Sequence, residues 1–168
     1  PLVLALLLTF LLSQSPAFGT VMKAWNVSQL VERADLVVMG EINSSECRWF
    51  EGRIHTWNQL HVGSIIHGAA PTSSIQVRHL GGSVGDYQLT LPGAPRFESA
   101  DHVLLFLRQD SLGSAFHVVG LSQGVFQLSA QESSETISQD ITGGMIEGPA
   151  LALSNLSDFL NKIHRSIP

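Results

Sequence analysis

One long hairpin, Asp35 to Gly68, constrains this chain more than any other feature. Leu36-Val37-Val38-Met39-Gly40-Glu41-Ile42 is rich in β-branched residues, and Arg53-Ile54-His55-Thr56-Trp57-Asn58-Gln59-Leu60-His61-Val62 alternates, imperfectly, between apolar and polar. Both patterns favour half-buried strands over helix. A turn is expected between them at Trp49-Phe50-Glu51-Gly52, where Gly52 supplies the positive φ of a tight reversal. A hairpin of this reach commits the rest of the chain to shorter strands laid against it.

Read in order, Val27 to Arg33 is expected as a short helix across one end of the sheet, with Val27, Leu30, Val31 and Ala34 at helical spacing. Gly63 to Gly68 breaks the alternation, as a bulge or strand end does. Ser74 to Leu80 reads as a third strand, with Ile75 and Val77 on one face and Gln76 and Arg78 on the other. Gly81 to Gly85 must be flexible or tightly turned, and Tyr87, Leu89 and Leu91 alternate in a fourth strand that Pro92-Gly93 closes. His102 to Arg108 is continuously apolar between charges, the pattern of a strand covered on both faces. Ala115 to Val119 and Val125 to Leu128 follow as further strands. From Ser129 onward Ser, Gln, Glu, Thr and Gly dominate, which predicts an exposed arm or linker. Ser157 to Arg165 is an amphipathic helix with Ser157 as its cap and Leu156, Phe159, Leu160 and Ile163 facing the barrel. The expected architecture is therefore mainly β: a small antiparallel barrel with a short N-terminal helix and a C-terminal amphipathic helix, a sandwich being the alternative.

The segment Leu2 to Leu12 is uninterruptedly apolar, and Ala17-Phe18-Gly19 offers small residues for cleavage after Gly19. It is too short to span a bilayer comfortably, so a signal peptide and a secreted or periplasmic protein with no stable membrane anchor are expected. The expected organisation is residues 1–19 as a signal peptide that starts within its apolar core, 20–128 as the barrel with its leading helix, 129–153 as a polar arm and 154–168 as the closing helix. The signal segment carries no charge, so the net charge of -5 belongs to the remainder. Seven of nine basic residues are arginines scattered singly, which leaves no basic stripe for nucleic acid. Cys47 is the only cysteine, so no intrachain disulfide can form and packing must hold the fold. It reads as a small half-buried residue, or as a reactive thiol or an intermolecular bridge.

The pattern Ala34-Asp35-Leu36-Val37-Val38-Met39-Gly40-Glu41-Ile42, then a long strand ending Ile65-Ile66-His67-Gly68, then Ile75-Gln76-Val77, resembles netrin-like modules. These include the inhibitory domain of tissue inhibitors of metalloproteinases, and the likeness runs from Asp35 to Leu128. The resemblance implies an OB-type barrel and a protease-associated or inhibitor-like role. Two departures stand against the second implication. Those inhibitors chelate the protease zinc through a Cys-x-Cys N-terminus, where this chain has Thr20-Val21-Met22-Lys23, and their Lys-Gly pair is replaced by His67-Gly68.

Gly120-Leu121-Ser122-Gln123-Gly124 fits G-x-S-x-G, and Asp140 or Asp158 followed by His164 gives the chain order of a hydrolase triad. A nucleophile elbow needs a helix directly after the serine, whereas Val125 to Leu128 is strand-like, so a turn is the better reading. The seven histidines lack the spacing that gathers metal ligands, and neither a metal nor another cofactor is expected. His55, Trp57 and His61 share one face of the second strand, either as an outward amphipathic patch or with Trp57 packed under the closing helix. With the loops Gly81 to Gly85 and Pro92 to Phe97, the binding candidates are His55, Trp57, His61, Gly82 and Arg96. The sequence thus predicts a non-catalytic module that binds an extracytoplasmic protein or peptide. The alternatives are a serine hydrolase using Ser122 and an oligosaccharide-binding barrel.

Overall fold

The computed structural model describes residues 21–131, 134–139, 145–147 and 155–167. The expected signal segment lies outside them. Strand β1 (Val21–Lys23) precedes helix α1 (Val27–Arg33), which begins with a capping box: Asn26 Oδ1 accepts the Gln29 amide at 2.9 Å while Gln29 Oε1 accepts the Asn26 amide at 3.0 Å. The hairpin follows as β2 (Leu36–Phe50) and β3 (Arg53–His67). Both arms outrun the apolar patterns that announce them, because polar residues 43–48 are carried as strand by the partner opposite them. Its reversal is tight, with Glu51 and Gly52 at φ 49° and 74° between the paired Phe50 and Arg53. Two successive positive φ values make a type I′ turn, whose twist matches that of the strands.

Register shifts in the β2–β3 ladder fall between Val37 and Val38, Met39 and Gly40, and Ile42 and Ser44, and Gly63 is the unpaired residue at one of them. Such bulges coil a strand, which lets β2 bend and serve both ends of a closed sheet. β4 (Ser74–Leu80) pairs with β3, and β7 (His102–Gln109) pairs with β2. β8 (Phe116–Val118) pairs antiparallel with β7 and meets β4 in parallel at Val77 and Phe116. The order β2, β3, β4, β8, β7 and back to β2 is a ring of five strands, barrel-like as expected and closed by one parallel contact.

Between β4 and β7 a small hairpin of β5 (Gly82–Val84) and β6 (Tyr87–Leu89) stands off the ring. The glycine-rich stretch expected to be a connection is thus half of an ordered hairpin, and Tyr87 to Leu89 pairs with it instead of adding a barrel strand. β9 (Val125–Gln131) extends the sheet beyond β7, and β10 (Ser134–Ser138) pairs with β9. β11 (Met145–Glu147) lies parallel to β1. β10, β11 and the end of β9 fall inside the stretch expected as a polar arm, whereas Val125 to Leu128 form strand as expected. One apolar residue, Ile137, is 2% exposed and anchors β10 to the core.

Strand β7 divides the interior. Val103, Leu105 and Leu107 point into the ring with Leu36, Val38, Ile42, Leu60 and Val77. Leu104 and Phe106 point the other way, into a second core built with Phe126, α1 and helix α2 (Leu156–Ser166). Both faces are covered, which is why the strand reads as unbroken apolar sequence. In α2, Leu156, Phe159 and Ile163 are buried as expected, while the cap is Asn155, whose Oδ1 accepts the Ser157 amide at 2.8 Å. Among the described residues no helix is long and apolar enough to cross a membrane.

Candidate functional site

Two adjoining cavities open beside the β3–β4 face of the ring. The larger, about 430 Å³, has Thr56 and Asn58 of β3 at its floor, Gly82 and β6 on one side, and His79 and the segment Leu91 to Phe97 on the other. The smaller, about 250 Å³, is lined by His55, Arg78, His79, His117 and Leu121. His79, Leu80, Leu91, Ala94 and Pro95 line both and form the wall between them.

The floor is fixed by hydrogen bonds that use up its polar groups. Asn58 Oδ1 accepts from Ser45 Oγ at 2.6 Å, and its Nδ2 donates to the Val77 carbonyl at 3.1 Å. Thr56 Oγ1 donates to the Gly81 carbonyl at 2.7 Å, which pins the start of the small hairpin over β3. Gly82 sits there at φ +122°, and a Cβ in its place would lie 2.5 Å from Cys47 Sγ and 2.7 Å from Thr56 Oγ1. Only glycine fits this contact, on grounds of both conformation and space.

Arg78 is the centre of the smaller cavity's wall. Its side chain is only 10% exposed and its Nη2 lies 3.7 Å from Asp110 Oδ2 and 3.3 Å from His117 Nε2. The guanidinium carbon is 4.3 Å from the centre of the Phe50 ring and 5.0 Å from that of Trp57. Nε and Nη1 are buried without a hydrogen-bond acceptor, so the aromatic faces are what they meet. Burial pushes the Asp110 carboxyl up, but the hydrogen bonds from Ser114, the backbone of Ala115 and the Arg78 charge outweigh it and hold it below its ordinary value. His79 and His117 are both held below the usual imidazole value, chiefly by burial, and the charge of His55 acts in the same direction on each.

The site residues expected from sequence are only partly brought together. Gly82 and the exposed Arg96 line the larger cavity, and His55 lines the smaller. Trp57 is 8% exposed, covered by Arg48 at 4.1 Å and by the edge of Phe50 at 5.6 Å. It is neither an outward patch nor packed under the closing helix, since α2 packs on Phe106 and Phe126. His61 is exposed and lines a separate hollow of about 330 Å³ with Met39, Gly63 and His102. No protein-family model matches this chain, and no curated protein does. The fold and these cavities are therefore the ground for any functional reading.

The sequence left Arg78, His117 and Asp110 out of the site. Arg78 and His117 are 39 residues apart and meet only because β4 and β8 run side by side. No local pattern announces that. Ser122 occupies a single 3-10 turn, Leu121–Gly124, and strand β9 follows it directly. Its hydroxyl is buried, 4% exposed as a residue, and without a hydrogen-bond partner. Among the described residues no three His, Cys, Asp or Glu side chains gather as metal ligands do.

Proposed function

We propose that this protein is an exported, non-catalytic binding module whose paired cavities receive an acidic, extended segment of another protein. One observation carries the reading. Neither cavity is lined by an aspartate or glutamate, whereas the exposed Arg96, which has no ion pair among the described residues, lines the larger one in a chain whose net charge is -5. An unopposed arginine at a cleft without carboxylates, in an otherwise anionic protein, draws negatively charged partners to that place and repels them elsewhere.

The strand order agrees with this use of the fold. In OB-type barrels the face of the second and third strands, together with the loops at its rim, is the usual binding surface, and β3 and β4 hold those places here. That is an analogy of position and says nothing of the ligand. It fits the netrin-like resemblance of residues 35–128 and a protease-associated role, without the zinc-chelating N-terminus of the inhibitors. The burial of Trp57 favours a peptide over a glycan, which needs an accessible aromatic platform. The burial of Ser122 Oγ and the strand that follows it speak against a serine hydrolase.

Fluorescence anisotropy with extended peptides rich in Asp and Glu, against neutral and Lys-rich peptides of the same length, tests the reading. The acidic peptides are expected to bind, and Arg96→Glu to weaken them about tenfold, the effect of one favourable pair made repulsive. Equal binding of all three peptide classes, or fluorophosphonate labelling that disappears in Ser122→Ala, overturns it.

A further inference from the structure

The two edges of β2 are used unequally. One pairs with β3 along nearly its whole length, but the other pairs with β7 only as far as Glu41. The Asp101 and Ala100 backbones then bond to Ile42, and Ser99 Oγ donates to the Asn43 carbonyl at 2.9 Å. From Ser44 to Phe50, among the described residues, no strand pairs with that outer edge. The ladder to β3 is regular there, with no register shift beyond Ser44. The segment is seven residues, roughly 23 Å of open backbone, and it carries none of the proline, lysine or bulge devices that usually blunt an edge.

We infer that this edge is a self-pairing surface: two copies of the chain join β2 to β2 antiparallel, about a two-fold axis at Cys47. Three features select this partner. The free segment is symmetric about Cys47, so only this register covers all seven residues of both copies. In this register Glu46 of each copy faces Arg48 of the other, while sliding by two residues in either direction sets Glu46 against Glu46 or Arg48 against Arg48. Neither Glu46 nor Arg48 has an ion pair among the described residues, and Arg48 is held in place by lying 4.1 Å over the Trp57 ring.

The third feature is the apolar border. Trp49 and Tyr87 are 51% and 66% exposed and pack edge to face at 5.7 Å, beside the open edge. An exposed aromatic pair at an unpaired strand marks an interface. Trp49 faces Ser45 of the second copy in the same register, which gives the ring a small neighbour to cover. Cys47 faces its own symmetry mate, but its Sγ is turned to Thr56 Oγ1 at 3.3 Å beneath Gly82, so association rests on backbone pairing and not on a disulfide. This interface is independent of the cavities, and losing it leaves the peptide-binding reading intact.

Sedimentation velocity of the purified protein over a range of concentrations decides the matter. The unaltered protein is expected to dimerise. Glu46→Arg, which keeps the Arg48 stack on Trp57, and Arg48→Glu are each expected to weaken the dimer about tenfold or more, because each puts like charges opposite twice. The double exchange Glu46→Arg with Arg48→Glu restores the pairing and is expected to restore the dimer. A protein that stays monomeric throughout, or a dimer indifferent to folded Glu46→Arg, overturns the inference.

Discussion

At the scale of single residues, the buried imidazoles tie this protein's stability to pH. His79 and His117 are held below the ordinary value of 6.5, chiefly by burial. For His117 the Arg78 and His55 charges add to burial, while its bond to the Arg78 carbonyl and the Asp110 charge oppose them. The unfolded chain therefore binds protons that the folded chain refuses, and stability is lost as pH falls below 6.5. Asp110, held below 3.8, acts in the same direction but only at lower pH, when the unfolded carboxyl becomes protonated. Calorimetry from pH about 7.5 to about 5 is expected to show a falling midpoint, and His117→Gln a shallower fall, since it removes one of the two imidazoles that burial holds low. An unchanged slope in the variant removes His117 as a cause. The sequence singled out His55 and His61 for binding and gave no sign of the two histidines that are held low, because burial is a property of the closed ring and not of neighbouring residues.

At the scale of elements, the hairpin was readable where its chemistry is local. Helix α1, β4 and the reversal at Gly52 follow from spacing, alternation and a glycine in its place. The extension of β2 through residues 43–48 was not readable, because those polar residues become strand only by pairing with β3. β10 was hidden for a similar reason: one buried isoleucine in a polar stretch gives no period. The turn itself offers a test. Glu51 stands at φ 49°, where asparagine is at much less cost than a longer side chain. Glu51→Asn is expected to stabilise the protein by about 0.5–1 kcal/mol, read from the urea midpoint at unchanged slope. A midpoint that moves down contradicts the type I′ reading.

At the scale of the whole molecule, the ring and its outer layer share one wall. Phe106 on β7, Phe126 on β9 and Phe159 on α2 meet with ring centres 4.8 to 6.5 Å apart, and this cluster secures the outer layer. Sequence alone made the barrel and the helix-covered face foreseeable, since both come from apolar patterning. It could not show where the ring closes, which depends on two strands that share no sequence signal.

That closure has a consequence for motion. Four of the five joints are antiparallel ladders, and the fifth is the meeting of Val77 with Phe116, held from the side by Arg78 with Asp110 and His117. A bracelet with one clasp parts at the clasp. Hydrogen exchange is expected to release the amides of 116–118 well before those of 103–107, and Arg78→Met, which removes the tie from β4 to Asp110 and His117, to widen that gap. Because His117 and Val118 of the clasp also line the smaller cavity, whatever enters there fastens the bracelet, and an occupant would register as slower exchange along β8.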